Sequence, residues 1–468
     1  MQEITNWREV FVRITTVRSK GLSHLSYLVT SMDEAMVIDP RRDAAIYAEM
    51  AKEQQVSISH IFETHRNEDY VIGSLELRSY VPEVKIGHSK RTKFGYGDLN
   101  IADGDQFTVG SMRITCANTP GHTMDSICYI CADESVSKDP LVVFTGDTLF
   151  VNSVGRTDLV DISRHEEMSN YLYDSLHEKL LTLPDGVCVH PGHGAGSVCG
   201  GEIGEREFTS IGYERKHNPW LSLTREEFVE GKLNQGLTRA PYFKNCEHLN
   251  TVGPPLLTEL GMPLELDVES FDLEMQKENH YVIDTRPPKL FMIEHIPCSI
   301  SLGLKNMGKI AGWPLVPSRH YLLVLHNSDE LYTAWSYLVR MGFDNIIGYL
   351  GPGLDEWKSK GKSTDSLSTI SSSDLKDGLE SGDIQLVDTR EPHELGKDTI
   401  EGSRSAALTT IETDLKSLDP TVVTSTICPT GYRSTTAASI LKCAGFPDVR
   451  VAFEGLKAWK EKGFPVKN

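Results

Sequence analysis

A chain of 468 residues exceeds what a single hydrophobic core organises, and predicts about three domains. Its composition, 39% hydrophobic and 24% charged, is that of an ordinary soluble globular protein, and a formal net charge of −19 excludes nucleic acid and an acidic membrane surface as partners. No apolar run reaches membrane-span length, residues 1–18 are charged throughout without a signal peptide's apolar stretch, and nine cysteines without framework spacing predict a reduced, cytoplasmic protein.

The first two hundred residues alternate short β-rich runs (25–30, 35–39, 58–64, 113–117, 126–131, 141–145) with loops bearing His, Asp or Gly. Helical patterns intervene at 43–55 and 166–183. Loops at strand ends are where a sheet delivers site residues. Four such loops carry metal-ligating types: Thr64-His65-Arg66-Asn67-Glu68-Asp69-Tyr70, Pro120-Gly121-His122-Thr123, Thr145-Gly146-Asp147-Thr148 and His190-Pro191-Gly192-His193-Gly194. A lone histidine is more often a core or surface residue; four such loops in succession point to a metal site. Cys128 and Cys131 have Cys-x-x-Cys spacing, but i and i+3 on an alternating run project to opposite faces, so they read as ordinary strand cysteines.

Residues 215–255 are charged and carry Asn218-Pro219, a helix-like 224–235 and Gly253-Pro254-Pro255; they read as a connector closing the first domain. The remainder reads as duplicated. Val282-Ile283-Asp284-Thr285-Arg286 recurs as Leu386-Val387-Asp388-Thr389-Arg390, Gly342-Phe343 as Gly445-Phe446, and Gly353-Leu354 with Trp357 as Gly455-Leu456 with Trp459. Each copy reads strand, helix, strand, helix, which implies a parallel sheet with right-handed crossovers. The Ser-rich run 363–373 is the expected linker, and both tryptophans are expected in cores.

In the second copy an apolar run, 422–427, meets a helical segment, 434–441, through Cys428-Pro429-Thr430-Gly431-Tyr432-Arg433. Backbone N–H groups converge there and the helix dipole favours an anion, so the loop suits a thiolate, a persulfide or an anionic sulfur donor. Gly431 permits the tight curl and Arg433 adds positive charge. The matching stretch of the first copy, Leu325-His326-Asn327-Ser328-Asp329-Glu330, has neither Cys nor Arg, and its two acids repel an anion. That copy reads as non-catalytic.

Residues 367–468 resemble the rhodanese family through Cys-x-x-Gly-x-Arg, Val387-Asp388-Thr389-Arg390-Glu391 and Gly455-Leu456-x-x-Trp459. Phosphatases of this fold use a loop one residue longer, so the resemblance implies sulfur transfer, with Cys428 as nucleophile. The N-terminal loops together resemble the metallo-β-lactamase fold, an αββα sandwich with a metal site at one sheet edge. That superfamily's first motif is His-x-His-x-Asp-His; here Asn67 and Tyr70 replace two histidines, which counts against a dinuclear zinc hydrolase. What survives, His65, His122 and Asp147, is similar to the facial triad of the persulfide dioxygenase branch. The resemblance implies mononuclear Fe(II) there, with three positions open for O2 and a substrate sulfur.

The expectation is therefore an α/β multidomain chain resembling persulfide dioxygenase–rhodanese fusions. Its parts are an αββα metallo-β-lactamase-fold domain with connector (1–255), a rhodanese homologue lacking the cysteine (256–362), and a rhodanese domain with parallel sheet (367–468). Expected partners are a small-molecule persulfide or thiosulfate and O2; a homo-oligomer is left open. Asn67, Asp69, Tyr70 and His193 are expected around the metal, without a second metal ion. Arg156, in Gly155-Arg156-Thr157-Asp158, reads either as partner of a substrate carboxylate or, preferably, as an internal ion pair with Asp158. Cys199 reads either as a persulfide relay at the pocket mouth or as an inert loop cysteine. The rival functions are a metal-dependent thioester hydrolase fused to a sulfurtransferase, and a degenerate metal domain serving as scaffold for the rhodanese.

Overall fold

The computed structural model describes residues 12–197, 199–200, 202–396 and 398–467, so the reading of residues 1–18 falls mostly outside it. The chain divides into two compact units: residues up to Gly236 together with Phe243–Leu260, and Leu237–Tyr242 together with Gly261 onward.

Alternation along the strands builds the first unit. One sheet runs β1 (Arg13–Ser19), β2 (His24–Ser31), β3 (Glu34–Ile38), β4 (Ser57–Phe62), β5 (Lys85–Ser89), β6 (Leu99–Ile101), antiparallel through β3 and parallel from there on. The other contains β7 (Gln106–Val109), β8 (Met112–Asn118), β9 (Ile127–Asp133), β10 (Val142–Gly146), β13 (Cys188–Pro191) and β14 (Thr209–Ser210), in the order β14-β13-β10-β9-β8-β7. A small hairpin, β11 (Leu149–Phe150) and β12 (Ser153–Val154), follows β10. Tyr27, Val29, Met36, Ile38 and Phe62 meet Ile114, Cys116, Tyr129, Cys131 and Phe144 between the sheets. The intervening Leu28, Ala35, Val37 and Ile61 turn outward, with Tyr47 and Ala51 of α1 (Ala45–Gln54) and Leu77 of α2 (Ser74–Tyr80). On the far side Cys128, Val143 and Val189 join Leu172 of α3 (His165–Asp174) and Leu176 and Leu180 of its π-helical extension, Ser175–Leu180. Each such side chain contributes about 1.5–3 kcal/mol on burial. Both outer faces are covered, which is the expected αββα sandwich, and Cys128 and Cys131 occupy opposite faces of β9.

The second unit holds two parallel five-stranded sheets of identical topology. The first contains β15 (Leu264–Leu266), β16 (His280–Asp284), β17 (Ile300–Ser301), β18 (His320–Val324) and β19 (Ile346–Leu350), ordered β15-β19-β18-β16-β17. The second contains β20 (Ser368–Thr369), β21 (Ile384–Asp388), β22 (Arg404–Ser405), β23 (Val423–Ile427) and β24 (Val449–Val451), ordered β20-β24-β23-β21-β22. The repeated Asp-Thr-Arg is structural in both copies. Arg286 and Arg390 fold back onto Asp284 and Asp388 at 2.6 Å, and Thr285 and Thr389 donate to the carbonyls of Val324 and Ile427 at 3.0 Å. Trp357 and Trp459 are buried and donate to the carbonyls of Ser363 and Pro465. The Ser-rich run differs from its expectation as a linker. Ser368 and Thr369 form the edge strand β20, and Ser371 caps a helix by accepting from the Asp374 N–H.

Candidate metal centre and cysteine loop

The four histidine- and aspartate-bearing loops leave one edge of the sandwich, after β4, β8, β10 and β13, and their polar side chains are buried. Support begins below the site. Thr64 Oγ1 donates to Asp39 Oδ2 at 2.7 Å and therefore accepts from His65 Nδ1 at 2.9 Å, which leaves the His65 Nε2 lone pair aimed into the site. His122 Nδ1 lies 2.9 Å from the Arg156 carbonyl, which only accepts, so its Nε2 lone pair points the same way. Asp147 accepts from His193 Nδ1, at 2.8 Å to Oδ1 and 3.0 Å to Oδ2. Asp147 Oδ2 also stands 3.5 Å from His122 Nε2 and 4.0 Å from His65 Nε2.

Electrostatics follow from burial and these neighbours. Burial holds the His65 imidazole down to about 3, hence neutral at ordinary pH. Burial would also lower His122, but the carboxylates of Glu68 and Asp147 outweigh it and push it up to about 9. Burial would raise the Asp147 carboxyl, yet His193, His122 and His65 hold it well below the usual carboxylate range.

The residues present fit a cation. His65, His122 and Asp147 bring ligand atoms within 4.8 Å of one another, all three are buried, and His65 Nε2 has no hydrogen-bond partner. Two imidazole nitrogens and one carboxylate form a donor set for a first-row divalent metal.

The remaining predicted residues surround this cluster. Asn67 is buried and donates to the His65 carbonyl at 3.2 Å, while Tyr70 stacks on His24 at 3.8 Å between ring centroids and meets His193 edge-on at 5.9 Å. Asp69 lies 3.1 Å from His193 Nε2, and Asp69, His193 and Cys199 form a second group whose ligand atoms lie within 4.8 Å of one another. Cys199 is fully buried rather than at a pocket mouth, because it packs beside the Glu68 carboxylate, 3.9 Å from Oε1. Arg156 holds Asp158 with two hydrogen bonds, at 2.7 and 2.6 Å. One residue escaped the sequence reading: Glu68, 1% exposed, places Oε1 2.9 Å from His122 Nε2. The available signal was a carboxylate inside the first motif, between Asn67 and Asp69.

At the other candidate site the chain leaves β23, curls through Cys428–Gly431 and enters α5 (Tyr432–Cys443), the counterpart of α4 (Leu331–Arg340) in the first copy. The Gly431 N–H points at Cys428 Sγ at 3.1 Å, and Ser434 Oγ lies 3.6 Å from the sulfur. Gly431 has φ 88°, and a Cβ there would stand 2.1 Å from the Phe453 carbonyl oxygen, so only glycine permits the curl. Arg433 is tied to Glu394, at 2.8 Å through Nη2, and its guanidinium lies over Trp313 at 5.4 Å. In the first copy a 3-10 turn, Ser328–Glu330, replaces the cysteine loop. A cavity of about 410 Å³ beside it is lined by Thr285, Lys305, Glu330 and Tyr337, with Tyr432 from the second copy.

Comparison with known proteins agrees with this division. Residues 20–193 match the metallo-beta-lactamase superfamily, and residues 267–360 and 371–462 each match the rhodanese-like domain. The human mitochondrial persulfide dioxygenase ETHE1 is 33% identical over 204 residues, covering 43% of this chain and 72% of that protein. The mitochondrial hydroxyacylglutathione hydrolase of Saccharomyces cerevisiae is 34% identical over 143 residues, covering 29% of this chain and 50% of that protein. The structure of a metallo-beta-lactamase from Staphylococcus aureus aligns with a TM-score of 0.64 at 26% identity, covering 73% of this chain and 99% of that one. Among the described residues no helix is long and apolar enough to cross a membrane. On its likeness to a relative matched over most of its length, the chain belongs to the persulfide dioxygenase family of metallo-β-lactamase-fold proteins, here joined to two rhodanese-like domains.

Proposed function

We propose that the chain oxidises a low-molecular-weight thiol persulfide at one Fe(II) held by His65, His122 and Asp147, and exchanges sulfane sulfur at Cys428. The observation that carries this reading is the buried triad itself, with Asn67 and Tyr70 standing where a dinuclear hydrolase needs histidines. Overall, R–S–SH, O2 and H2O give R–SH and H2SO3, that is, sulfite and two protons. A bound ferrous ion supplies O2 activation and a Lewis acid for the terminal sulfur. The protein contributes orientation and proton control. The Asp39–Thr64–His65 chain and the Arg156 carbonyl fix both imidazole tautomers, and His193 holds the Asp147 carboxylate through Nδ1–H. Burial of every group around the triad excludes bulk water from the reacting sulfur.

At the second site the Cys428 thiolate attacks a sulfane sulfur, with the Gly431 N–H holding the anion. A Cys428 persulfide attacked by sulfite returns the thiolate and releases thiosulfate, which balances in atoms and charge; the reverse loads the cysteine. The test against thioester hydrolysis compares turnover in air and under argon on iron-loaded protein. Persulfide oxidation stops without O2, whereas undiminished cleavage of a glutathione thioester under argon overturns the reading.

A further inference from the structure

Glu68 is used by none of these steps, yet no carboxylate oxygen lies nearer a triad nitrogen than its Oε1, 2.9 Å from His122 Nε2. Its side chain is 1% exposed and its second oxygen, Oε2, has no hydrogen-bond partner. The Arg156 carbonyl fixes the His122 tautomer with hydrogen on Nδ1, so neutral His122 presents a lone pair to a carboxylate oxygen. Two electron-rich atoms at that separation repel unless a cation is shared between them. Without metal a proton does this; with metal, the metal does. The spacing fits the second case, because neighbouring vertices of an octahedron with bonds of about 2.1 Å lie about 3.0 Å apart.

We infer that Glu68 is a fourth protein ligand of the metal, binding through one carboxylate oxygen beside His122. The inference rests on the metal reading of the triad. It converts two histidines and one carboxylate into two and two, leaving two open positions rather than three. One then serves O2 and the other the terminal sulfur, so the persulfide binds through a single atom. Two carboxylates also cancel the charge of a divalent ion, and a persulfide anion therefore meets a neutral centre rather than a cationic one.

Co(II) added to the metal-free full-length chain tests this, with affinity read by competition against a chromophoric chelator and the ligand set read from the visible ligand-field bands. Glu68→Gln keeps the shape and removes the charge. It is expected to weaken Co(II) binding at least about 10-fold and to alter the bands. Glu68→Asp, which retains the carboxylate on a shorter stem, is expected to keep part of the affinity with shifted bands. It decides the matter if the glutamine variant does not fold. Variants that bind Co(II) with wild-type affinity and an unchanged spectrum overturn the Glu68 assignment alone. A wild-type chain that takes up no Co(II) overturns the metal reading of the triad and Glu68 with it.

Discussion

The two rhodanese-like copies contain a matched experiment. Gly455 and Gly353 hold the same place in each copy, with φ of 70° and 75°, a region that L side chains rarely adopt. Alanine at either costs about 1–2 kcal/mol for the left-handed backbone. Their surroundings differ. At Gly353 an added Cβ meets nothing within 4 Å, whereas at Gly455 it would stand 2.4 Å from the Pro429 carbonyl oxygen and 2.5 Å from that of Cys428. Ordinary contact begins near 3.4 Å, so the cysteine loop must move by about 1 Å. A misplacement of that size costs about 100-fold in rate. The assay is persulfide formation on Cys428 by thiosulfate, followed by quenched mass spectrometry, with urea unfolding in parallel. Gly353→Ala should lose stability and keep the rate; Gly455→Ala should lose at least as much stability and fall about 100-fold in rate. Equal rates in the two variants would refute the claim that backbone packing under the loop sets its geometry.

Glu63 is fully buried and accepts from Tyr96 at 3.0 Å; burial raises its carboxyl from 4.5 to about 8. The folded chain then binds a proton that the unfolded chain releases, so this stability is complete below pH 4.5 and is lost as pH rises through about 8. The loss is on the order of 4 kcal/mol, and Glu63→Gln should flatten the urea midpoint across that window, which pH-resolved unfolding measures. Metal analysis should find one ion per chain in wild type and roughly 10-fold weaker uptake or worse in Asp147→Asn. A second equivalent that vanishes in Cys199→Ser would show that Asp69, His193 and Cys199 also hold metal.

Much of the architecture was legible because it is local. Alternation in β2, β3 and β9 separates the inter-sheet core from the helix-covered faces, and the Asp-Thr-Arg repeats mark a turn whose ion pair spans two residues. The four site loops each follow a strand, so their convergence on one edge follows from the topology. What escaped depends on distant partners. Glu68 lies in a string of polar residues that reads as solvated. Asn250 holds the adjoining loop in place, donating to the carbonyls of Asn67 and Tyr70 and accepting from the Ile72 N–H. Arg433 reads as a lone positive charge until Glu394, thirty-nine positions away, is found holding it. The Ser-rich run reads as a linker by composition, yet pairing with β24 makes two of its residues a strand.

The central claim is that the triad supports O2-dependent oxidation of a persulfide. Its most direct measurement is O2 uptake by iron-loaded full-length protein given glutathione persulfide, with sulfite quantified in the same sample and Asp147→Asn as control. The account predicts equal amounts of O2 consumed and sulfite formed, both lost in the variant. Iron-loaded wild-type protein that consumes no O2, or releases thiol without sulfite, would contradict it.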